Sequence, residues 1–370
     1  MDDWKYCQQT LPKVSRTFAL NIRVLRGELH RSVLIAYLFC RAVDTIEDAA
    51  QLEPKTKIKQ LFEFSKLIEN LEYRKNQIEE WIKNCKTVDG SSNDLDLLKN
   101  IQRVFNVFDS LNENHKEQII PSVSKMAKGM AHFQSRFQTG QITPLENEED
   151  LEEYCYFVAG IVGEMLCNLF LQKLTFLPEP SRKIMKENAV SFGLGLQMTN
   201  ISKDVMADRE RGWSYIPKSL INYYGLTVEE FHSGKSTEKN LKVLENLLCK
   251  TNGHLQDALK FTLAIPRAQF SIRLFCIWPL WMAMKTVAIL HNNPTLLSSS
   301  APVKISRNQV KRILFSTPLI AWSNFLLKYS FYNVLGQKVL HNSQDFDLEN
   351  LNQRLAEISL DNISSKLQNT

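Results

Sequence analysis

The 370-residue chain predicts an all-α protein, a single helical domain large enough to bury a substantial core. Three observations carry that prediction. Helix breakers are scarce, with 13 Gly and 12 Pro, about 7% of the chain against roughly 12% in ordinary usage. Apolar residues recur at helical spacing in long runs such as "LIAYLFCRAVDTIED", "FVAGIVGEMLCNLFLQKL" and "AVSFGLGLQMTNISKDVMAD", without sustained alternation. The breaks between runs, at 86–94, 139–150, 233–237 and 291–302, read as loops, and none has the composition of a domain linker. Residues 1–340 are therefore expected to form one domain, and 341–370, polar from "QDFDLENLNQ" onward, a peripheral tail.

Composition narrows the function. The net charge of +5 comes from 45 basic and 40 acidic residues that are interspersed, which argues against nucleic acid and suits an anionic substrate, a negative membrane surface or plain solvation. Cysteines stand at 7, 40, 85, 155, 167, 249 and 276 with no CxxC pair, so buried thiols in a reducing cytoplasm are expected, not a sulfur metal site. The acidic start "MDDWKYCQQT" is not a secretory signal. The most apolar run, "LFCIWPLWMAM", lies between Arg273 and Lys285, short of the ~20 residues that cross a bilayer. The longer "ILFSTPLIAWSNFLL" contains Pro318. A cytoplasmic protein that touches a membrane only peripherally is expected.

The elements that bear chemistry follow in order. "SRTF", residues 15–18, reads as a helix N-cap followed by an apolar residue. The buried-looking "RSVLIAYLFC" runs into "RAVDTIEDAA", where Asp44 and Asp48 stand four apart with Glu47 between them. Like charges at that spacing repel by a few tenths of a kcal/mol. Arg41 lies one turn earlier on the same face, placed for a salt bridge to these acids or for reaching a phosphate with its forked donors. In "YCYFVAGIVGE" Tyr154 reads as core, and Gly160 and Gly163 as points of close helix approach. In "NISKDVMAD" Asn200, Asp204 and Asp208 form one line along a helix.

An exposed helix end explains either acid pair alone. Two DxxxD pairs, each ending an apolar helix, point further. Carboxylates brought together away from water need compensation, and Mg²⁺ supplies it, preferring oxygen ligands, keeping waters and bridging to phosphates. The spacing does not fit an EF-hand. Metal-held diphosphate leaving groups and a dry aromatic cavity would suit carbocation chemistry; the chain has 6 Trp, 10 Tyr and 20 Phe.

Five segments in order resemble the squalene/phytoene synthase family: "VSRTFALNI" (14–22), "FCRAVDTIEDA", "YCYFVAGIVGE" (154–164), "LQMTNISKDVMADRERG" and "YIP" (215–217). The likeness runs from about residue 6 to 340. It implies an isoprenoid-synthase fold with a central apolar cavity, catalysing head-to-head condensation of two farnesyl diphosphates or longer analogues through a cyclopropyl diphosphate. It implies Mg²⁺, with Mn²⁺ as a substitute, held by Asp44, Asp48, Asp204 and Asp208, with Glu47 and Asn200 at the same sites. Ser15, Arg16, Thr17 and Phe18 match a segment that contacts a diphosphate and covers the cavity; Arg41 is a further substrate contact. Tyr154 matches a tyrosine that assists the cationic steps.

Within the family, "DTIED" and "FCIWPLWMAMKTV" (275–287) resemble the squalene synthase versions, the latter lining a pocket through Phe275 and Pro279. "PVKISRNQV" (302–310) resembles a segment that turns Lys304 and Arg307 towards NADPH, with Lys203 and Asn200 as further cofactor residues. Two departures stand against NADPH use: Trp213 replaces a usual Arg, and Lys203 stands where Arg is frequent. The eukaryotic members end in a membrane-spanning tail that this chain lacks, so a soluble or peripheral enzyme of bacterial type is expected, serving hopanoid, sterol or carotenoid synthesis; a monomer is also expected. The amphipathic stretch 309–340 could rest on a membrane where the product leaves. Phytoene or dehydrosqualene synthase is the alternative, lacking the reductive step. A non-catalytic assembly protein of the same fold is the remote one.

Overall fold

The computed structural model describes residues 2–138, 140–235, 237–297, 303–335 and 346–360. Among these, secondary structure is helical apart from a two-residue parallel pair, Thr143–Pro144 (β1) beside Trp213–Ser214 (β2). The all-α expectation holds. Of the expected tail, 341–345 and 361–370 lie outside the described residues, as do 336–340 of the amphipathic stretch.

The described residues divide into two compact units. The first gathers those of Met1–Phe137, Met165–Thr175 and Ala356–Thr370. Its helices begin with α1 (Asp3–Val14), α2 (Arg16–Arg23), α3 (Gly27–Asp48) and α4 (Pro54–Glu69). They continue with α5 (Leu71–Asn84), α6 (Ser92–Lys99), α7 (Ile101–Asp109) and α8 (Glu113–Gln134). Side-chain caps set several starts: Ser15, Asn70, Ser91 and Asn112 each accept a bond from a first-turn backbone N–H. The stretch 86–94, expected as a loop, thus already opens α6. Helix α3 is buried along most of its length. Its Phe39 sits 4.7 Å from the Phe105 ring and 5.4 Å from Phe108, and Phe64 and Trp81 extend the cluster.

The second unit takes Gln138–Glu164 and Phe176–Leu355. Helix α9 (Glu148–Cys155) passes through a π-helical turn, Tyr156–Gly160, into α10 (Ile161–Lys173), which from Met165 onward belongs to the first unit. The 32-residue α11 (Glu179–Glu210) follows, then α12 (Lys218–Tyr223) and α13 (Val228–Phe231). Next come α14 (Glu238–Ala264), α15 (Phe270–Leu290), α16 (Arg307–Ile320), α17 (Asn324–Leu335) and α18 (Leu348–Glu357). Helix α18 lies in the stretch expected to be peripheral, yet Leu351 and Leu355 are buried and Arg354 donates to Glu152 at 2.7 Å.

Two glycines let the chain after Tyr154 press against α11. A Cβ at Gly163 would lie 2.1 Å from the Ala189 carbonyl oxygen, and one at Gly193 would lie 2.2 Å from that of Ala159. No side chain fits either gap. The close approach expected at Gly163 is thus backbone to backbone.

Two helical runs, Glu148–Lys173 and Phe270–Leu290, are long and apolar enough to cross a membrane by length and composition. This corrects the expectation that no run reaches that length. Arg273, which bounds the apolar run in sequence, is buried completely, its guanidinium donating to the Ile265 carbonyl at 2.7 Å and to Asn324 Oδ1 at 2.8 Å. The apolar window of Phe270–Leu290 is 83% buried inside the protein, as in a core helix, and that of Glu148–Lys173 is 61% buried. None of the seven cysteines forms a disulfide, and six are buried, which bears out the expected thiols.

Candidate active site

The first acidic motif occupies the last turns of α3. Tyr37, Arg41, Asp44 and Asp48 fall at i, i+4, i+7 and i+11, one face of the helix. At its upper end lies the Ser15–Phe18 segment. Ser15 caps α2 by accepting from the Phe18 N–H at 3.2 Å, and the Phe18 ring lies 5.5 Å from that of Tyr37. Burial pushes the Tyr37 hydroxyl up to about 12, with the Asp44 charge adding to it, while a hydrogen bond with Ser15 and the charge of Arg41 act against it. Arg16 begins this helix, and Thr17 and Phe18 are exposed.

Arg41 does not make the i,i+3 bridge that its spacing suggests. Its Nε donates to Asp94 Oδ1 at 2.8 Å and its terminal nitrogen to Asp94 Oδ2 at 2.9 Å, a two-pronged pair. Asp94 is buried at the start of α6 and also accepts from the Ser91 hydroxyl at 2.6 Å. These donors hold its carboxyl below the usual range although burial opposes them.

Asp44, half-buried, is left in the opposite condition. Burial pushes its carboxyl up to about 7, and the charges of Asp48 and Asp94 add to this; Arg41 opposes it only in part. Asp48 is exposed at the helix end. Glu47 is buried, and its backbone carbonyl accepts from the Lys57 ammonium at 2.8 Å. Beyond the helix, Asp89 accepts from the Ala50 and Gln51 N–H groups at 3.0 Å each and so pins the exit.

The second motif lies near the end of α11. The helix leaves regular geometry at one residue, Asp204, with φ −104° and ψ 17°, near the sparsely populated bridge region where many site residues are found. Asp204 pairs with the Lys203 ammonium at 2.8 Å, and the buried Asp208 pairs with Arg211. Asn200 is exposed one turn before.

Tyr154 sits beside this motif's exit strand. It is buried and stacked on Tyr215, centroids 4.4 Å apart and planes at 18°; Tyr215 in turn stacks on Trp213 at 5.6 Å and 4°. Trp213 therefore closes a three-ring stack behind Tyr154. The neighbouring Tyr156 donates to Glu164 Oε2 at 2.9 Å, and burial and that carboxylate hold its hydroxyl far above the usual range.

Phe275 and Pro279 are buried in α15, while Lys304 and Arg307 are exposed before and at the first turn of α16. Among the described residues no three His, Cys, Asp or Glu side chains gather into a protein-only metal shell. Sequence reasoning missed Tyr37 and Asp94, and noted Tyr215 only as the start of the "YIP" segment. Tyr37 had a signal, two helical turns before Asp44; "SSND" had one too, a cap followed by an acid. Nothing in the order of residues announced that Arg41 would choose Asp94.

The squalene/phytoene synthase family model matches residues 11–309. Squalene synthase of Eremothecium gossypii is 30% identical over 306 residues, 81% of this chain and 65% of that protein. Squalene synthase ERG9 of Candida albicans is 32% identical over 324 residues, 84% of this chain and 66% of that one. The chain thus spans just under two thirds of the length of these relatives. Its fold matches that of TcSQS in complex with a ligand, with a TM-score of 0.73 at 24% identity over 98% of this chain and 99% of that one. A dehydrosqualene synthase in complex with a ligand matches with a TM-score of 0.55 at 21% identity, over 88% and 97% of the two chains. At such identities the likeness is one of fold. The family match over residues 11–309, most of the chain, makes this protein a member of the squalene/phytoene synthase family.

Proposed function

We propose that this chain condenses two farnesyl diphosphates head to head through a cyclopropyl diphosphate and reduces that intermediate to squalene with NADPH. The observation that carries the reading is the α3 face: Asp44, its carboxyl raised to about 7 beside Asp48, with the nearest guanidinium turned to Asp94. Such a face favours an added cation, and the relatives at about 30% identity are named squalene synthases.

Asp44 and Asp48 in one motif, and Asp204 and Asp208 in the other, each offer oxygen donors of the kind Mg²⁺, or Mn²⁺ in its place, prefers, with Glu47 in the first motif and Asn200 in the second. Such an ion, when bound, would supply positive charge to a diphosphate leaving group. Lys203 pairs with Asp204, and Arg211 with Asp208. Arg41, held at a fixed angle by Asp94, presents its remaining N–H groups to phosphate oxygens, and Ser15 to Phe18 cover the substrate. Tyr154, backed by Tyr215 and Trp213, takes a proton or offers its π face to the cation; Phe275 and Pro279 line the apolar pocket of the second step. The exposed Lys304 and Arg307 offer two charges to the phosphates of NADPH. In this reading the protein works as a cytoplasmic monomer.

The test is incubation with farnesyl diphosphate and Mg²⁺, with and without NADPH, and mass analysis of the extracted hydrocarbon. Squalene formed only with NADPH is the expected result. A product two hydrogens lighter, made equally well without reductant, would assign the chain to the dehydrosqualene branch.

A further inference from the structure

Helices α16 and α17 are apolar on both sides. Their inner faces bury Ile313, Thr317, Leu327 and Phe331. Two tryptophans of α15 fix their orientation: Trp278 Nε1 donates to Thr317 Oγ1 and Trp281 Nε1 to Ser330 Oγ, both at 3.1 Å. The outer faces should then be polar, as on any solvated helix. Instead, Phe315, Leu319 and Phe325 are 77%, 75% and 76% exposed, joined by Trp322, Tyr329 and Tyr332. Phe325 and Tyr329 stack at 6.5 Å as neighbours on one outward line. An aromatic surface of this density is kept for a partner.

The charge pattern selects the partner. From residue 258 to residue 344 the chain has no Asp or Glu, but it has ten Lys or Arg. Among these, Lys304, Arg307, Lys311 and Arg312 are exposed, the last two in the turns of α16 that lead to Phe315. Trp, Tyr and Phe tips flanked by cations and free of acids match the chemistry of a lipid–water interface with negatively charged headgroups. A self-association face has no reason to exclude acids from so long a stretch, because two copies would repel through it.

We propose that the outer face of α16 and α17 seats this protein on an anionic phospholipid bilayer, the aromatic side chains entering the headgroup region and Lys311 and Arg312 meeting lipid phosphates. The seat makes sense with the function proposed above, whose product is insoluble in water, but its test reads binding alone and is independent of which hydrocarbon is made.

The full chain is mixed with vesicles of phosphatidylcholine alone, or containing about one third phosphatidylglycerol, and binding is read by co-sedimentation at low and high salt. The expected result is binding to the anionic vesicles at least about tenfold tighter than to neutral ones, weakened by salt. A Phe315→Ser, Trp322→Ser, Phe325→Ser variant should lose binding to both. Lys311→Glu with Arg312→Glu should lose only the anionic preference, and it retains the apolar surface should the triple variant fold poorly. Unchanged urea midpoints certify the fold of each. No vesicle binding by the parent chain overturns the proposal. So does a dimer in sedimentation velocity that the triple substitution dissolves while vesicle binding persists, since the face would then join two copies.

Discussion

Arg41 and Asp94 are joined by two parallel hydrogen bonds, 2.8 and 2.9 Å, across 53 positions of sequence. One partner ends an apolar helix and the other begins a short one, so the pair fixes the guanidinium beside the first acidic motif. Asp94→Ala should cost about 2 kcal/mol, since Asp94 is buried but Arg41 is partly solvated. The Asp94 carboxyl is depressed in the folded protein. Its contribution is therefore present above the ordinary carboxylate pKa and lost as pH falls below it. Urea unfolding should show the variant's deficit near neutrality and its disappearance in acid. A deficit that persists unchanged in acid would deny the charged pair its role.

Asp44 has the opposite sign. Its folded-state pKa, about 7, lies above the unfolded value, so its contribution to stability is full below about pH 4 and lost as pH rises through about 7. Asp44→Asn should therefore unfold at a higher temperature than the parent near pH 8 and at nearly the same temperature near pH 4, while turnover is abolished. Mg²⁺ needs the ionised carboxylate, so its binding near pH 6.5 should release protons into a weak buffer, and the substituted protein should release fewer. Equal proton release by both proteins would remove Asp44 from the metal site. Asp48→Asn and Asp204→Asn should also abolish turnover with the fold retained.

The ring stack separates support from chemistry. Tyr154→Phe keeps its contact with Tyr215, so thermal stability should stay close to the parent's while turnover falls roughly 100-fold if the hydroxyl moves a proton. Trp213→Ala removes a buried ring and should lower stability by about 3 kcal/mol. Turnover by Tyr154→Phe equal to the parent's would leave only the π face as its contribution.

Gly163→Ala adds one carbon where only 2.1 Å separates it from the Ala189 carbonyl oxygen. The helices must part, at a cost of about 3 kcal/mol, more than overpacking by one methyl against flexible side chains. Gly90→Ala is the control: its nearest neighbour is the Thr45 methyl at 3.6 Å, and its midpoint in urea should hardly move.

Lys304→Ala with Arg307→Ala should raise the KM for NADPH about tenfold and leave formation of the cyclopropyl diphosphate unchanged. Single-turnover assays with and without NADPH separate the two steps. An equal loss in both would make this pair a substrate contact, not a cofactor one.

Much of this molecule is legible in its sequence because helices declare themselves through spacing. The helix ending at Asp48 and the one bearing Asp204 were readable from their apolar runs, and the acid pairs from their four-residue repeat. What escaped depends on distance in space. Asp94 lies in a stretch rich in Ser, Asn and Gly, whose local chemistry suits a loop as well as a helix start. Trp213 looked like a missing cation because a sequence position carries no neighbours; its stacking on Tyr215 depends on the short pairing of Thr143 with Trp213. Arg273 appeared to end an apolar segment, since burial of a guanidinium becomes affordable only once the Ile265 carbonyl and Asn324 are placed to receive it.

The π-helical turn at Tyr156–Gly160 sets the phase between two neighbouring requirements. One extra residue in the turn offsets everything before it by about 100° of rotation relative to everything after it. Tyr154 can thus meet Tyr215 while Gly163 meets Ala189. Deleting a single residue between them would restore an uninterrupted α-helix and leave a choice: aim the tyrosine or seat the glycine. The irregular turn works as a vernier between the aromatic stack and the helix contact, and lineages that kept both would have to keep its length while its residues drift.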